Sequence, residues 1–102
     1  DASLKEFERA ARIDDKNPNI QYQLGVAYHR RGLLDQAILN YRRAAELMPN
    51  HVDAYINLGD IYASRNEFAS ALAAYNTALA IDPTNSYASR KAKLAEEKLL
   101  EK

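Results

Sequence analysis

The chain has 102 residues, of which 47% are hydrophobic and 27% are charged, a balance typical of one globular domain and not of a disordered chain. Fourteen basic residues balance fourteen acidic ones, so no global charge attracts the chain to nucleic acid or to an anionic membrane surface. Cysteine is absent, which excludes disulfides and thiolate metal sites, and no apolar run approaches the roughly 20 residues that span a bilayer.

The strongest signal in the sequence is an internal repeat of 34 residues. When the chain is shifted against itself by this distance, identical residues coincide in two consecutive segments. The coinciding pairs are Leu24 and Leu58, Gly25 and Gly59, Tyr28 and Tyr62, Ala37 and Ala71, Tyr41 and Tyr75, Ala44 and Ala78, and Pro49 and Pro83. The register fades after Pro83, where Ala92 and Lys93 replace the expected Leu-Gly pair. A period of this length indicates stacked supersecondary units.

Apolar residues recur at three- and four-residue steps within each segment, which predicts amphipathic helices. In chain order, helices are predicted near residues 2–14, 19–31, 35–47, 53–65, 68–81 and 86–100. Asn17 is predicted to cap the second helix, and Gly32 to follow its end in a left-handed conformation that Asn66 repeats. Pro49 and Pro83 are expected to stop the third and fifth helices. The sequence therefore predicts an all-α chain of six helices.

Two motifs carry a resemblance to a known family. One is Leu24-Gly25-x-x-Tyr28 followed by Ala37-x-x-x-Tyr41 and Pro49, and the other is the fuller pattern from Tyr55 to Pro83. Both resemble the tetratricopeptide repeat (TPR), which implies a right-handed α-solenoid of antiparallel helix pairs. The first repeat departs from the pattern at Gln21, where a large aromatic residue is usual. The implied arrangement is a single domain over residues 1–102, with a half repeat at 1–17, full repeats at 18–51 and 52–85, and a capping helix at 86–102.

The repeated residues are interpreted as scaffold and not as functional side chains. Gly25 and Gly59 omit a side chain where the two helices of a repeat approach closely. Repeated tyrosines fill the wider gaps, with hydroxyl groups placed at the edge of the core to find hydrogen-bond partners. These tyrosines are Tyr28, Tyr41, Tyr62 and Tyr75.

No catalytic, cofactor-binding or metal-binding pattern is found in the sequence. There is no Gly-rich phosphate loop, no His-Glu-x-x-His motif and no nucleophile elbow. His29 and His51 are far apart in sequence, and we expect both to be solvated surface side chains instead of metal ligands. A nucleic-acid site would need a broader basic face with interleaved aromatic residues. The sequence therefore predicts a chain that is not an enzyme, uses no cofactor, binds no nucleic acid and does not insert into a membrane.

In the family that the chain resembles, the first helix of each repeat lines a concave wall that binds partner segments. The resemblance places on this wall the inward-facing residues outside the repeated core pattern. They are Tyr22, Val26, Ile56, Asn57, Asp60, Arg90 and Leu94. This mixture suits a peptide or an amphipathic helix with hydrophobic anchors and a basic residue opposite Asp60. The alternative is that some of these residues only cover the seam between helices.

One subgroup of the family grips the C-terminal carboxylate of heat-shock chaperones with two lysines, two asparagines and an arginine on this wall. At the matching places the chain has Tyr22, Val26, Asp60, Arg90 and Leu94. Only Arg90 keeps the charge, and Asp60 would repel a carboxylate. The sequence therefore argues against a co-chaperone role.

Three hypotheses for the function stay open. The first is a protein–protein interaction scaffold that holds a peptide or helix in the concave groove. The second is self-association, because the first helix lacks the partner helix that would begin its unit and exposes an apolar face to an upstream repeat or another copy. That face carries Leu4, Phe7, Ala10, Ala11 and Ile13. The third is the substrate-specificity domain of a larger enzyme, such as a glycosyltransferase. The charged last helix is expected to end the array as a polar cap.

Overall fold

Six helices account for most of the computed structural model, which describes residues 2–101. Within those residues there is no strand. The helices are α1 (Ala2–Ile13), α2 (Pro18–Arg30), α3 (Leu34–Leu47), α4 (Val52–Ser64), α5 (Phe68–Ile81) and α6 (Ser86–Leu100). The prediction of an all-α chain with six helices is confirmed, and every predicted helix end lies within one residue of the observed one.

The helix ends follow from the local sequence. The side-chain oxygen of Asn17 accepts hydrogen bonds from the backbone N–H groups of Asn19 at 2.9 Å and Ile20 at 3.3 Å, which satisfies donors that the first turn of α2 leaves unpaired. Gly32 has φ of 76° and Asn66 has φ of 60°, so both take the left-handed conformation that ends a helix. The predicted caps and stops are therefore confirmed.

The chain divides into two compact units, residues 1–49 and residues 50–102. In the first unit α2 packs against both α1 and α3, and in the second unit α5 packs against both α4 and α6. Short connections make the successive helices antiparallel. The repeat boundaries and the right-handed winding of the solenoid stay predictions.

A glycine–tyrosine contact brings two helices close together in each unit. A Cβ atom added to Gly25 would lie 2.8 Å from Cδ1 of Tyr41, and one added to Gly59 would lie 2.6 Å from Cε1 of Tyr75. Both tyrosine rings are almost completely buried. The predicted close approach of the two helices is confirmed, because neither glycine leaves room for a side chain. That the repeated residues have no functional role stays a prediction.

Part of the apolar face of α1 is covered by α2. Leu4 is buried in a cluster with Leu24 and Ala27, and Phe7 and Ala11 pack against that cluster. The expectation of an uncovered face is therefore wrong for this part of α1. Ile13 differs, because it is 80% exposed beside the helix end.

Candidate functional site

The predicted groove residues lie in both units. Tyr22 and Val26 belong to α2 in the first unit. Those in the second unit are Ile56, Asn57 and Asp60 on α4, and Arg90 and Leu94 on α6. That all seven form one continuous wall stays a prediction.

In the first unit, the aromatic group around Tyr41 includes one predicted groove residue. The half-buried ring of Tyr22 lies with its centroid 5.6 Å from that of Tyr41. The Tyr41 hydroxyl lies 3.2 Å from Nδ1 of His29. Val26 lines a cavity of about 280 Å³ between α1 and α2, together with Phe7 and Arg30. Val26 is thus accessible, whereas Tyr22 is partly occupied by its contact with the core tyrosine.

In the second unit, Ile56 belongs to the core. It is 8% exposed and packs with Ala78 of α5 and Ala88 of α6. Asn57 is half-buried on the same helix. Ile56 therefore holds α4, α5 and α6 together and offers little surface to a partner, which is the seam-covering role that the sequence left open as an alternative.

Asp60 is engaged inside the second unit by two tyrosine hydroxyls. Tyr75 donates a hydrogen bond to Oδ1, and Tyr87 donates one to Oδ2 at 2.9 Å. Burial raises the pKa of both tyrosines above the usual value, and the hydrogen bond to Asp60 raises each pKa further because it stabilises the protonated phenol. The Asp60 carboxylate therefore meets donors supplied by α5 and α6 before any ligand arrives, which weakens its case as the partner of a basic ligand residue.

Arg90 and Leu94 are brought together on the exposed surface of α6. They line a depression of about 450 Å³, which we call the α6 pocket. Its lining residues are Tyr87, Arg90, Lys91, Lys93, Leu94 and Glu97. The Lys91 ammonium lies 5.5 Å from the centroid of the Tyr87 ring, a distance at which a cation is attracted to an aromatic face. The α6 pocket thus combines an apolar side chain with several basic ones.

A smaller cavity of about 190 Å³ adjoins the α6 pocket and shares Lys91 and Leu94 with it. Its other lining residues are Ala63, Phe68, Tyr75, Ala95 and Lys98. We call it the apolar pocket, because all its lining residues except two lysines are aliphatic or aromatic.

Sequence reasoning missed Tyr87 and Lys91 as site residues. A signal was present, since Tyr87 precedes Arg90 by three residues and Lys91 precedes Leu94 by three, so all four share one face of α6. The hydrogen bond from Tyr87 to Asp60 joins positions 27 residues apart, and no local pattern in the sequence predicts it.

The expectation that both histidines are solvated is wrong. His51 is 7% exposed, and its Nδ1 accepts a hydrogen bond from the backbone N–H of Ala54 at 3.3 Å, so it caps α4. His29 is half-buried beside Tyr41. Within residues 2–101, no three His, Asp or Glu side chains gather where they could hold a metal ion. In the same residues, no helix has the length and hydropathy to cross a membrane.

The stability of the protein is expected to fall as pH rises above about 10. A tyrosine with a raised pKa in the folded state keeps its proton when the unfolded chain has lost it. The stability that it contributes is therefore complete below the unfolded pKa and is lost as pH rises through the folded pKa. Urea unfolding from about pH 8 to about pH 11 checks this, with Tyr75→Phe as the comparison. The free energy of unfolding of the variant should fall less steeply with pH than that of the unaltered protein. Equal slopes of the two curves would contradict the role of Tyr75.

Two antiparallel helix hairpins that repeat at 34 residues, each with a glycine against a buried tyrosine, define a helical-repeat protein of tetratricopeptide type. A family model described as "Tetratricopeptide repeat" matches residues 17–84, and one described as "TPR repeat" matches residues 1–32. The chain belongs to the tetratricopeptide repeat family, as the sequence predicts.

The chain is similar to segments of longer proteins. It is 42% identical over 65 residues to the tetratricopeptide repeat domain-containing protein PYG7, chloroplastic, of Arabidopsis thaliana, covering 64% of this chain and 22% of that protein. It is 31% identical over 87 residues to the protein O-mannosyl-transferase TMTC1 of Homo sapiens, covering 81% of this chain and 10% of that protein. The chain therefore spans less than a quarter of the length of either relative.

A solved structure has the same fold. It is that of YrrB, described as a TPR protein with an unusual peptide-binding site, and it superposes with a TM-score of 0.84 at 28% identity. The match covers 88% of this chain and 46% of that one.

Proposed function

We propose that this chain is a protein–protein interaction scaffold whose second unit binds a peptide segment of a partner on the surface of α6. The observation that carries the proposal is the exposed Leu94 between two adjoining cavities, with basic side chains around both. The peptide is expected to supply an apolar anchor and at least one acidic residue beside it.

The apolar anchor is expected to enter the apolar pocket. Leu94 is 51% exposed, and it lies beside Phe68 and Tyr75 in the lining of that cavity. Covering such a surface with an aliphatic side chain removes apolar area from water, at about 25 cal/mol for each Å². An exposed leucine next to a preformed cavity is therefore a favourable place for an anchor residue.

The charge of the ligand follows from the side chains that stay available. Arg90, Lys91 and Lys93 line the α6 pocket, where Glu97 is the acidic neighbour. Asp60 is engaged by Tyr75 and Tyr87, so a basic ligand residue opposite Asp60 is no longer the favoured choice. A carboxylate beside Lys91 would be attracted, and its attraction would weaken with salt.

The similarity to YrrB supports peptide binding as the general function, since that structure is described as having a peptide-binding site. Its description gives no sequence for the bound peptide. The preference for an acidic peptide with an apolar anchor therefore rests on α6 of this chain.

Selection from a displayed library of random peptides tests the proposal, followed by fluorescence anisotropy with the enriched peptides. We expect the enriched sequences to contain an acidic residue close to a Leu, Ile or Phe. Leu94→Ala should weaken binding about tenfold, which corresponds to about 1.4 kcal/mol of lost contact. Lys91→Glu should weaken it at least as much and should reduce its salt dependence.

Matched controls lie on the same helix and on α1. Leu100→Ala removes a leucine that is 81% exposed and outside both pockets, and Lys5→Glu makes the same charge change on α1. Neither control should change the affinity of the peptides. Enriched peptides that are basic, or equal losses from Leu94→Ala and Leu100→Ala, would refute the site.

A second candidate function is the substrate-specificity part of a larger enzyme. The similarity to a protein O-mannosyl-transferase favours it, because the matched region is 10% of that relative. Peptide binding on α6 would then select the substrate instead of a scaffold partner. The sequence of the complete polypeptide decides this, since a complete chain without a catalytic domain would exclude it.

Self-association through the first helix is a third candidate. Ile13 is 80% exposed at the end of α1, and such a residue gains from contact with a second copy. Light scattering at high protein concentration tests it. If the unaltered protein has the mass of a monomer at high concentration, and Ile13→Lys has the same mass, self-association is excluded.

A further inference from the structure

A polar cleft in the first unit lies on another face of α2 than the predicted groove residues Tyr22 and Val26. It is an open depression with a volume of about 440 Å³. The cleft is lined by Glu8, Ala11, Arg12, Asp15, Gln21, Leu24, Tyr28 and Asn40. Gln21, Leu24 and Tyr28 follow one face of α2, and helical geometry directs Tyr22 and Val26 to another. We call this feature the amide cleft.

Two carboxamides that line the cleft, those of Gln21 and Asn40, have no counterpart in the second repeat. Gln21 is 3% exposed, and a buried amide is costly unless it is hydrogen-bonded. Shifted by 34 residues, Gln21 corresponds to Tyr55 and Asn40 corresponds to Ala74. Tyr55 packs against the core cluster that contains Ile56, and Ala74 is buried. The second repeat therefore forms the same hairpin with an aromatic and a small residue at these two positions. The first repeat has the polar residues Gln21 and Asn40 there instead.

The two amides are held in a fixed arrangement. Gln21 Nε2 donates to the backbone carbonyl of Asp15 at 3.1 Å, and Asn40 Nδ2 donates to Gln21 Oε1 at 2.9 Å. Arg43 in turn binds Asp15. Its guanidinium donates to the backbone oxygen and to the carboxylate of Asp15, each at 3.4 Å. A carboxamide has two N–H donors and one acceptor oxygen. Within residues 2–101, Asn40 uses one donor in these bonds, which leaves its oxygen and second N–H for a ligand.

The opposite wall of the cleft comes from α1 and carries one charge of each sign. Glu8 Oε2 accepts a hydrogen bond from the Tyr28 hydroxyl at 2.8 Å, which fixes the carboxylate. Burial, followed by this contact with Glu8, raises the pKa of Tyr28 above its usual value. Arg12 lies one helical turn after Glu8, and within the described residues its guanidinium forms no ion pair or hydrogen bond.

We infer that the amide cleft binds an extended segment of a partner polypeptide, whose backbone pairs with the Asn40 carboxamide while its side chains meet Glu8 and Arg12. In an extended strand, the N–H and C=O of one residue point to the same side, so together they offer the acceptor and donor that Asn40 needs. Backbone pairing supplies affinity, and the flanking charges select a basic and an acidic side chain. The amide cleft and the α6 pocket have no lining residue in common.

The double variant Gln21→Tyr, Asn40→Ala tests the inference, because it copies the residues that the second repeat uses at these positions. The probe is a displayed library of random peptides, selected on the unaltered protein. We expect some enriched peptides to bind the double variant at least tenfold more weakly than the unaltered protein. The double variant should unfold at a temperature no lower than that of the unaltered protein. N-methylation of a single backbone amide in such a peptide should weaken binding about tenfold, because backbone hydrogen bonds are lost.

Two controls separate this site from the α6 pocket. Leu94→Ala should leave the cleft peptides unaffected, and the double variant should leave the α6 peptides unaffected. Asn76→Ala removes an exposed amide on α5 and should change neither. The inference is overturned if the selection yields no peptide sensitive to the folded double variant, or if N-methylation at every backbone position is tolerated. Either result leaves the α6 proposal standing.

Discussion

Leucine in place of Gly59 is expected to lower the free energy of unfolding by about 1–3 kcal/mol or more. A Cβ atom added to Gly59 would lie 2.6–2.8 Å from three atoms of the Tyr75 ring, a separation that forces one group to move. The ring cannot move freely, because it is 1% exposed and its hydroxyl is bonded to Asp60. A larger side chain must therefore push α4 and α5 apart.

Urea unfolding of a series of variants measures this effect. Gly59→Ala should destabilise less than Gly59→Leu, because it adds only a Cβ atom. Its gain in helix propensity over glycine, about 1 kcal/mol, also offsets part of the clash. Ala73→Leu is the matched control, because Ala73 is exposed on α5. This substitution introduces a leucine side chain outside the core. It should change stability by about 0.5 kcal/mol or less. Equal stabilities of Gly59→Leu and the control would mean that the close helix contact does not limit the side chain.

The fold could be predicted from the sequence because its determinants are local or periodic. Asn17 caps α2 through groups two and three residues away, and Gly32 and Asn66 end helices through their own backbone conformation. The glycine–tyrosine contacts recur with the 34-residue period, so two copies of the same pattern support one interpretation. Each of these features is determined within a single hairpin.

The candidate site was only partly predictable, because accessibility is decided by helices distant in sequence. Ile56 and Leu94 were both assigned to the wall, yet α5 and α6 cover Ile56 while Leu94 is half exposed. In the sequence, Asp60 indicates a basic ligand residue, but in the structure Tyr87, 27 residues later, donates a hydrogen bond to it. His51 likewise reads as a turn residue in sequence, and its burial follows from its role as a helix cap.

The amide cleft illustrates a departure from the family pattern that carries information. Gln21 could be recognised in the sequence as the wrong residue type for its repeat position. Its partner Asn40 lies 19 residues away on α3, and the pairing of the two amides is a tertiary contact. The sequence therefore identified the unusual residue but could not predict what it binds.

Removal of the Tyr75 ring is expected to have the largest effect of any single substitution considered. Tyr75→Ala should lower the free energy of unfolding by about 3–5 kcal/mol, the range for truncating a buried aromatic ring. The ring packs in a cluster with Ala71, Ala92 and Ala95, whose small side chains cannot refill the space. The variant also removes the wall that Tyr75 gives to the apolar pocket.

Tyr75→Phe separates the ring from its hydroxyl. This variant keeps the packing and loses the hydrogen bond to Asp60, which should cost about 1.5 kcal/mol, the lower end for bonds to charged groups, since Asp60 keeps Tyr87. Because the ring still lines the apolar pocket, peptides selected on the unaltered protein should bind Tyr75→Phe with little change. Urea unfolding measures the free energy of unfolding, and fluorescence anisotropy on the same samples measures the affinity for the peptides. If Tyr75→Ala cost no more stability than Tyr75→Phe, the ring would not support the core. If Tyr75→Phe abolished binding without unfolding, the Asp60 network, and not the apolar pocket, would be the main determinant of peptide binding on α6.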